Sequence, residues 1–152
     1  MNAVEFKEVV ISELLSIVDE KIEMAKESIA SINNSKNSAT KSTAGDKHET
    51  GRAMMERELA LSESQLSKTQ LLKHSLLKIS ETKASEEVGV GSFVKADEIF
   101  FLIGVPLGAI LVNGEKCYAI SSASPIGSQL LGKMVGHSFT FMGEKYEIKS
   151  IA

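Results

Sequence analysis

The chain has 152 residues, of which 43% are hydrophobic and 24% charged, and its formal net charge is -3. This length suits one ordinary domain or two small ones, and the composition is typical of a globular protein. The slightly acidic balance excludes a global basic field that would draw the chain to nucleic acid or anionic lipid. No segment approaches the roughly 20 apolar residues of a membrane span, and the N-terminus has no export signal. We therefore expect a cytoplasmic protein without a membrane partner.

The cysteine and histidine content argues against a metal centre built from those residues. Cys117 is the only cysteine, which excludes an internal disulfide and suits a reducing compartment. It is expected to serve in packing. The three histidines, His48, His74 and His137, lack metal-ligand spacing with one another or with Cys117. No tightly bound cofactor is expected from this pattern.

The composition changes near residue 87. Residues 1–87 contain Phe6 as their only aromatic residue, no proline and two glycines. Residues 88–152 contain the other seven aromatic residues, both prolines and nine glycines. This division predicts an α+β protein with a helical part over 1–80, a short polar linker over 81–87 and a β-rich part over 88–152.

The helical part is predicted to form two helices. The first, from about 4 to 31, has apolar residues at alternating intervals of four and three, which is typical of a coiled-coil seam. An Asn-, Ser- and Thr-rich segment over 33–43 predicts a loop. The second helix, from about 46 to 80, has a similar seam interrupted by Ser62 and Thr69. Helices joined by such a short loop should pack antiparallel as a hairpin, with its base braced by the β-rich part. An oligomerising coiled coil would explain the same seam.

Six strands are predicted in the second part, over 88–94, 99–104, 109–112, 116–120, 138–142 and 146–151. Asn113-Gly114 is a hairpin turn signal, and Gly143 should lie in a closing hairpin. Ser124 followed by Pro125 predicts an N-cap and the first position of a short helix that ends before Gly132.

Two carboxylates stand at the predicted start of the second helix, in the segment 44–50 that we call the tip. Asp46 and Glu49 are three residues apart, so they should lie on one side of the helix. Two such carboxylates can hold a hard divalent cation. The same pattern can also be a capping box, with Asp46 as N-cap. Both roles are compatible only if one carboxylate oxygen stays free.

Four segments of the chain resemble the Gre family of bacterial transcript-cleavage factors. Gly45-Asp46-x-x-Glu49 is similar to the acidic tip of that family, and Ser124-Pro125-Ile126 followed by Leu130-Leu131-Gly132-Lys133 is similar to a segment of its C-terminal domain. Val90–Val94 resembles the first strand of that domain, and Tyr146-Glu147-Ile148 resembles its last strand. The order of these segments extends the resemblance over nearly the whole chain.

The resemblance implies a coiled-coil hairpin followed by an FKBP-like domain. It implies that Ser124, Pro125 and Ile126 bind RNA polymerase, and that the hairpin enters the polymerase secondary channel. Asp46 and Glu49 would then help to hold a second Mg²⁺ that is shared with the polymerase, near the backtracked 3′ end of the nascent RNA. On this basis we expect a monomeric accessory factor that stimulates cleavage by the polymerase and is not itself an enzyme.

The sequence departs from the family at the tip, and other functions are open. Where the family has Asn-Ala-x-Tyr after the acids, this chain has Thr50-Gly51-Arg52-Ala53, so the tip tyrosine is missing. A channel-binding regulator without cleavage activity is therefore an alternative. A coiled-coil adaptor would explain the seam but not the two motifs. A prolyl isomerase of FKBP type is disfavoured because the chain has no tryptophan and spacing identifies no aromatic pocket.

Overall fold

A computed structural model describes residues 1–40 and 45–152 of the protein, with side chains described for 1–37 and 50–152. The protein is α+β, with a long helical hairpin followed by a six-stranded mixed sheet, as the composition predicts. The helices are α1 (Ala3–Thr40), α2 (Gly45–Ser80) and α3 (Pro125–Leu130). The strands are β1 (Phe93–Ala96), β2 (Ile99–Ile103), β3 (Gly108–Val112), β4 (Glu115–Ile120), β5 (Ser138–Phe141) and β6 (Glu144–Ile151).

The chain divides into two compact units. One contains residues 1–16 and 74–152, and the other contains residues 17–73. The first unit thus combines the sheet with the beginning of α1 and the end of α2. The second unit contains the remainder of the two helices.

Helix α1 begins with a capping box and extends further than the sequence predicts. The Asn2 Oδ1 atom accepts a hydrogen bond from the Glu5 amide (2.8 Å), and the Glu5 carboxylate accepts one from the Asn2 amide (3.1 Å). The loop predicted over 33–43 is wrong over 33–40, because α1 continues to Thr40. Residues 41–43 lie outside the described residues. Asn and Ser each cost only a few tenths of a kcal/mol in a helix, and residues 33–40 contain no glycine or proline to break it.

The sheet has the strand order β3-β4-β2-β1-β6-β5, in which β2 and β4 are parallel and the other neighbours antiparallel. The predicted turn between β3 and β4 is confirmed, since Asn113 (φ 52°) and Gly114 (φ 79°) both have the left-handed conformation of a tight hairpin turn. The closing hairpin, β5 with β6, is confirmed as well.

The first predicted strand, 88–94, is wrong in its bounds, because β1 begins only at Phe93. The backbone of Val88 is bonded outside the sheet: its amide donates to the Lys133 carbonyl and its carbonyl accepts from the Gly132 amide, both at 2.8 Å. Val88 therefore joins the segment after α3 and packs into the core from there.

Each face of the sheet is covered within the first compact unit. One face carries the main core, in which Phe101, Ile103 and Ile148 are packed with Leu130 of α3. On the other face Phe6 of α1 makes edge-to-face contacts with Phe93 and Phe100, with ring centroids 5.8 and 4.8 Å apart. These aromatic contacts confirm that the base of the hairpin is braced by the β-rich part.

A lysine is buried beside this junction. The Lys7 ammonium donates hydrogen bonds to the carbonyls of Thr82 and Ala152, both at 3.4 Å. Desolvation by burial lowers the pKa of Lys7. The two carbonyls partly compensate the loss of water around the ammonium, so this contact ties α1 to the turn after α2 and to the residue that follows β6.

Cys117 is buried in the sheet, as predicted for a packing residue. Burial, together with the negative charge of Glu115, raises the pKa of its thiol to about 11 from an ordinary value of 9.0. Between these values the unfolded chain loses the thiol proton while the folded chain keeps it. The contribution of the thiol to stability is therefore complete below pH 9 and is lost as the pH rises towards 11.

We predict that Cys117→Ala will remove this alkaline loss of stability. Urea unfolding would measure the free energy of unfolding at pH 7 and at pH 10. Its decrease between these two pH values should be larger for the wild type than for the variant, by no more than about 2 kcal/mol. An identical pH dependence for the two proteins would contradict the burial of the thiol.

Candidate functional site

The two tip acids lie within the first two turns of α2. The helix begins at Gly45, so the backbone places Asp46 and Glu49 three residues apart near its N-terminus. The side chains of both residues lie outside the described part of the structure. Because the helix begins at Gly45, Asp46 is its second residue and does not occupy the N-cap position predicted for a capping box. By donor chemistry two carboxylates fit a hard cation such as Mg²⁺, although they supply too few ligands to hold it alone.

Two ion pairs between the helices define the register of the hairpin. Lys73 Nζ lies 2.7 Å from Asp19 Oδ1, and Lys36 Nζ lies 3.4 Å from Glu56 Oε1. Asp19 and Lys36 are 17 residues apart along α1, and their partners Lys73 and Glu56 are 17 residues apart in the opposite direction along α2. Both pairs therefore belong to one antiparallel register. The predicted antiparallel packing is thereby confirmed. Exposed ion pairs of this kind contribute little energy, at most about 1 kcal/mol each.

The seam residues of the second compact unit show how little a two-helix arm can bury. Val18 and Ile22 of α1 are buried, whereas Ala25, Ile29 and Ile32 are half-buried. Along α2 the polar residues Ser62 and Thr69 occupy half-buried positions in the seam, at the predicted interruptions. The Thr69 hydroxyl donates to the Gln65 carbonyl (2.8 Å), so it is satisfied within its own helix.

The second predicted site forms the beginning of α3. The Ser124 hydroxyl accepts a hydrogen bond from the Gly127 amide (3.1 Å) and donates one to the Ser121 carbonyl (2.7 Å), which confirms the predicted N-cap. Pro125 is exposed, whereas Ile126 is half-buried and packs against the core. Of the three predicted polymerase-binding residues, only Pro125 is fully available to a partner.

Gly127 makes this helix start possible. A Cβ atom at this position would lie 2.1 Å from the Ser121 carbonyl oxygen, far inside van der Waals contact. The close approach holds α3 against the preceding loop and fixes the direction in which Pro125 points. Sequence reasoning missed Gly127, because a glycine in the third position of a short helix has no local signal for a close contact.

The segment that contains α3 has few charged residues. From 117 to 143 the sequence contains Lys133 as its only Asp, Glu, Lys or Arg residue, although 24% of the whole chain is charged. Within this segment Pro125, Leu131, Met134 and Val135 are exposed. We call these four residues the α3 surface. Its backbone is fixed by hydrogen bonds, among them His137 Nδ1 accepting from the Met134 amide (3.0 Å). Exposed apolar groups with few charges are typical of a protein interface.

Five aromatic residues form a cluster that the sequence did not reveal: Phe101, Tyr118, Phe139, Phe141 and Tyr146. The rings of Tyr118 and Phe141 are 5.2 Å apart, although three strands separate β4 from β5. Strands at about 4.8 Å spacing would place these positions roughly 19 Å apart in a flat sheet. The sheet is therefore strongly curved, and the rings fill its concave face by packing against one another.

Among the described residues, no group of three or more His, Cys, Asp and Glu residues could hold a metal ion. In the same part of the chain no helix has the length and apolar character needed to cross a membrane. No protein-family model matches the chain, and neither the curated proteins nor the solved structures include a significant match to it.

Two glycine substitutions should have opposite effects on stability. Gly127→Ala should lower the free energy of unfolding by about 1–3 kcal/mol, because the new methyl group overlaps the Ser121 carbonyl. Gly51→Ala should raise it by about 0.5–1 kcal/mol, because this helical position has open space around a Cβ atom. Thermal and urea unfolding of both variants would measure the difference. Equal effects would contradict the close contact at α3.

Proposed function

We propose that the protein is a Gre-type factor that binds RNA polymerase through its secondary channel and stimulates cleavage of backtracked nascent RNA. The hairpin would enter the channel, and the second part of the chain would be an FKBP-like domain that docks outside it. The protein would donate ligands to the active site of the polymerase and would not catalyse cleavage by itself.

The observation that carries the proposal is where the two motifs lie. Gly45-Asp46-x-x-Glu49 falls at the start of α2 in a helical hairpin of defined register. Ser124-Pro125-Ile126 falls at the start of α3, beside an exposed surface with few charges. A helical hairpin with acids near the start of its second helix, together with a separate docking surface, suits an accessory factor. The curved sheet with one short helix on its concave face supports the FKBP-like fold.

The chemistry proposed for the tip is metal-assisted phosphodiester cleavage. A second Mg²⁺ beside the catalytic Mg²⁺ of the polymerase supplies activation of a water and stabilisation of the leaving oxygen. Asp46 and Glu49 would contribute two oxygen ligands, and the polymerase and the RNA would have to contribute the others. In general, a helix N-terminus favours nearby negative charge, and the ionised carboxylate is the form that binds a cation.

A second candidate function is supported by the residues after the acids. Thr50-Gly51-Arg52-Ala53 replaces the family segment that includes a tyrosine. Gly51 also weakens the helix at this point by about 1 kcal/mol relative to alanine. A tip altered in this way suits a regulator that occupies the secondary channel without stimulating cleavage.

The double substitution Asp46→Asn and Glu49→Gln should abolish transcript cleavage and leave binding to RNA polymerase intact. It removes the charges that attract the cation but keeps the size of both side chains, so stability should change by less than about 1 kcal/mol. The measurement is shortening of RNA in backtracked elongation complexes as a function of Mg²⁺ concentration.

A matched control neutralises two exposed acids elsewhere on the hairpin, Glu20→Gln with Glu63→Gln. This control should retain cleavage. If the tip variant cleaves as well as the wild type, the acids are structural only. If the wild type binds polymerase but shortens no transcript at any Mg²⁺ concentration, the non-cleaving regulator replaces the first proposal.

Docking can be tested separately with Pro125→Glu. Glutamate suits the first turn of a helix, so the fold should be preserved, whereas a charge in the uncharged α3 surface should weaken polymerase binding by about tenfold or more. Ser85→Glu, which adds the same charge to the exposed linker, should bind normally. Equal affinity of both variants and the wild type, measured by surface plasmon resonance, would exclude Pro125 from the interface.

A further inference from the structure

The two outer strands of the sheet are protected to very different degrees. At the β5 edge the Gln129 side chain of α3 bonds both backbone groups of Thr140. Its Nε2 atom donates to the Thr140 carbonyl (3.1 Å), and its Oε1 atom accepts from the Thr140 amide (3.4 Å). The side-chain amide thus occupies the position of a neighbouring strand and blocks further pairing at this edge.

The opposite edge, β3, has no comparable protection within the described structure. β3 pairs only with β4, and its Gly108, Ala109 and Leu111 are exposed, with Leu111 at 75%. The sequence from 99 to 114 contains no charged residue. Charges, proline and bulges are the usual means of preventing edge pairing. β3 contains no charge and no proline, and its backbone is irregular at its first residue, Gly108, which has a left-handed φ of 83°.

The turn between β3 and β4 determines which backbone groups face outward. In a two-residue hairpin the residues that flank the turn, Val112 and Glu115, form a hydrogen-bonded pair. Hydrogen-bonded pairs recur at every second residue, so Ile110 and Gly108 also bond to β4. The amides and carbonyls of Ala109 and Leu111 therefore point away from β4 at the free edge.

We propose that β3 pairs with β3 of a second copy of this chain, antiparallel and centred on Ile110. This register brings the outward groups of Ala109 opposite those of Leu111 in the second copy, which allows four hydrogen bonds across a two-fold axis. It sets small residues against large ones, because Ala109 faces Leu111 and Gly108 faces Val112. The dimer would continue the sheet across both copies.

The charges next to the edge do not oppose pairing with a second copy. In the observed register Lys116 lies beside Leu111 and Glu115 lies beside Val112. In the dimer, Lys116 and Leu111 would lie in line with Ala109 and Tyr118 of the second copy. Glu115 and Val112 would lie in line with Gly108 and Ala119 of the second copy. Like charges of the two copies therefore do not face each other.

A contact of one short strand is smaller than the roughly 1,600 Å² of a standard interface, so the dimer should be weak and reversible. A monomer–dimer equilibrium differs from the monomer expected from the sequence.

Sedimentation velocity of the full chain over a roughly hundredfold range of concentration tests the proposal. The wild type should show a monomer–dimer equilibrium. Leu111→Lys introduces an edge charge, and Ala109→Pro removes an outward amide without affecting the bonds to β4. Each should weaken association at least about tenfold, since the proline variant alone loses two hydrogen bonds per dimer. Thr140→Lys adds the same charge at the blocked β5 edge and should leave association unchanged.

Disulfide trapping tests the register. Ile110 faces Cys117 within one chain, so both cysteine variants are made with Cys117→Ala. Ile110→Cys should form a disulfide-linked dimer on mild oxidation, because the paired Cα atoms would be about 4.5 Å apart, within disulfide range. Leu111→Cys should not, because its two copies would be separated by two residue steps along the strands.

A wild type that stays monomeric at every concentration would overturn the proposal. It would also be overturned if both β3 variants associate as strongly as the wild type, or if Thr140→Lys weakens association as much as the β3 substitutions do. If Leu111→Cys is trapped as readily as Ile110→Cys, the strands do not pair in the proposed register. These measurements use the protein alone, so their outcome is independent of whether it binds RNA polymerase.

Discussion

The antiparallel register of α1 and α2 is the constraint on which the rest of the hairpin depends. Two helices without a third partner bury a narrow seam, and the polar residues Ser62 and Thr69 reduce that seam further. Apolar packing alone therefore specifies the register weakly. The pairs Asp19–Lys73 and Lys36–Glu56 agree on one register, and charge matching in addition to packing selects it. Their small energies matter because a shift by one heptad would place Asp19 opposite Leu66 or Ser80 and so remove its pair with Lys73.

The first compact unit is held together by contacts other than ion pairs between helices. Aromatic contacts join Phe6 to Phe93 and Phe100, and the buried Lys7 ammonium links α1 to two backbone carbonyls. On the other face, α3 is held by its cap and by the close approach of Gly127 to the Ser121 carbonyl. A surface carried by such a short helix would be poorly defined without these contacts. The unit therefore presents the α3 surface on a fixed backbone, which reduces the entropic cost of binding a partner.

Local signals in the sequence predicted much of the fold. The heptad spacing, the Asn113-Gly114 turn and the Ser124-Pro125 helix start each depend on residues close together in the chain, and each is found in the structure. The end of α1 was mispredicted because the Asn and Ser residues after residue 32 disfavour a helix only slightly, so they do not end it. The start of β1 was mispredicted because Val88 bonds to the distant Gly132 and Lys133.

Features that depend on distant contacts could not be predicted. The aromatic cluster draws its rings from four strands, and curvature of the sheet brings them together. The protection of the β5 edge requires Gln129 to reach Thr140 across a turn. Of the predicted site, Pro125 is exposed as expected, whereas Ser124 serves mainly as a helix cap and Ile126 packs partly in the core. The roles proposed for Asp46 and Glu49 depend on further metal ligands that a partner would supply.

The central claim is that the tip reaches the active site of RNA polymerase. An iron chelate tethered to the variant Ala44→Cys, with Cys117→Ala to remove the native thiol, would generate hydroxyl radicals beside the tip and leave both acids in place. In a backtracked elongation complex we predict cuts at the 3′ end of the RNA and in the polymerase segments around the catalytic Mg²⁺. Cuts confined to the outer surface of the polymerase, or no cuts under conditions in which the protein is bound, would contradict the claim.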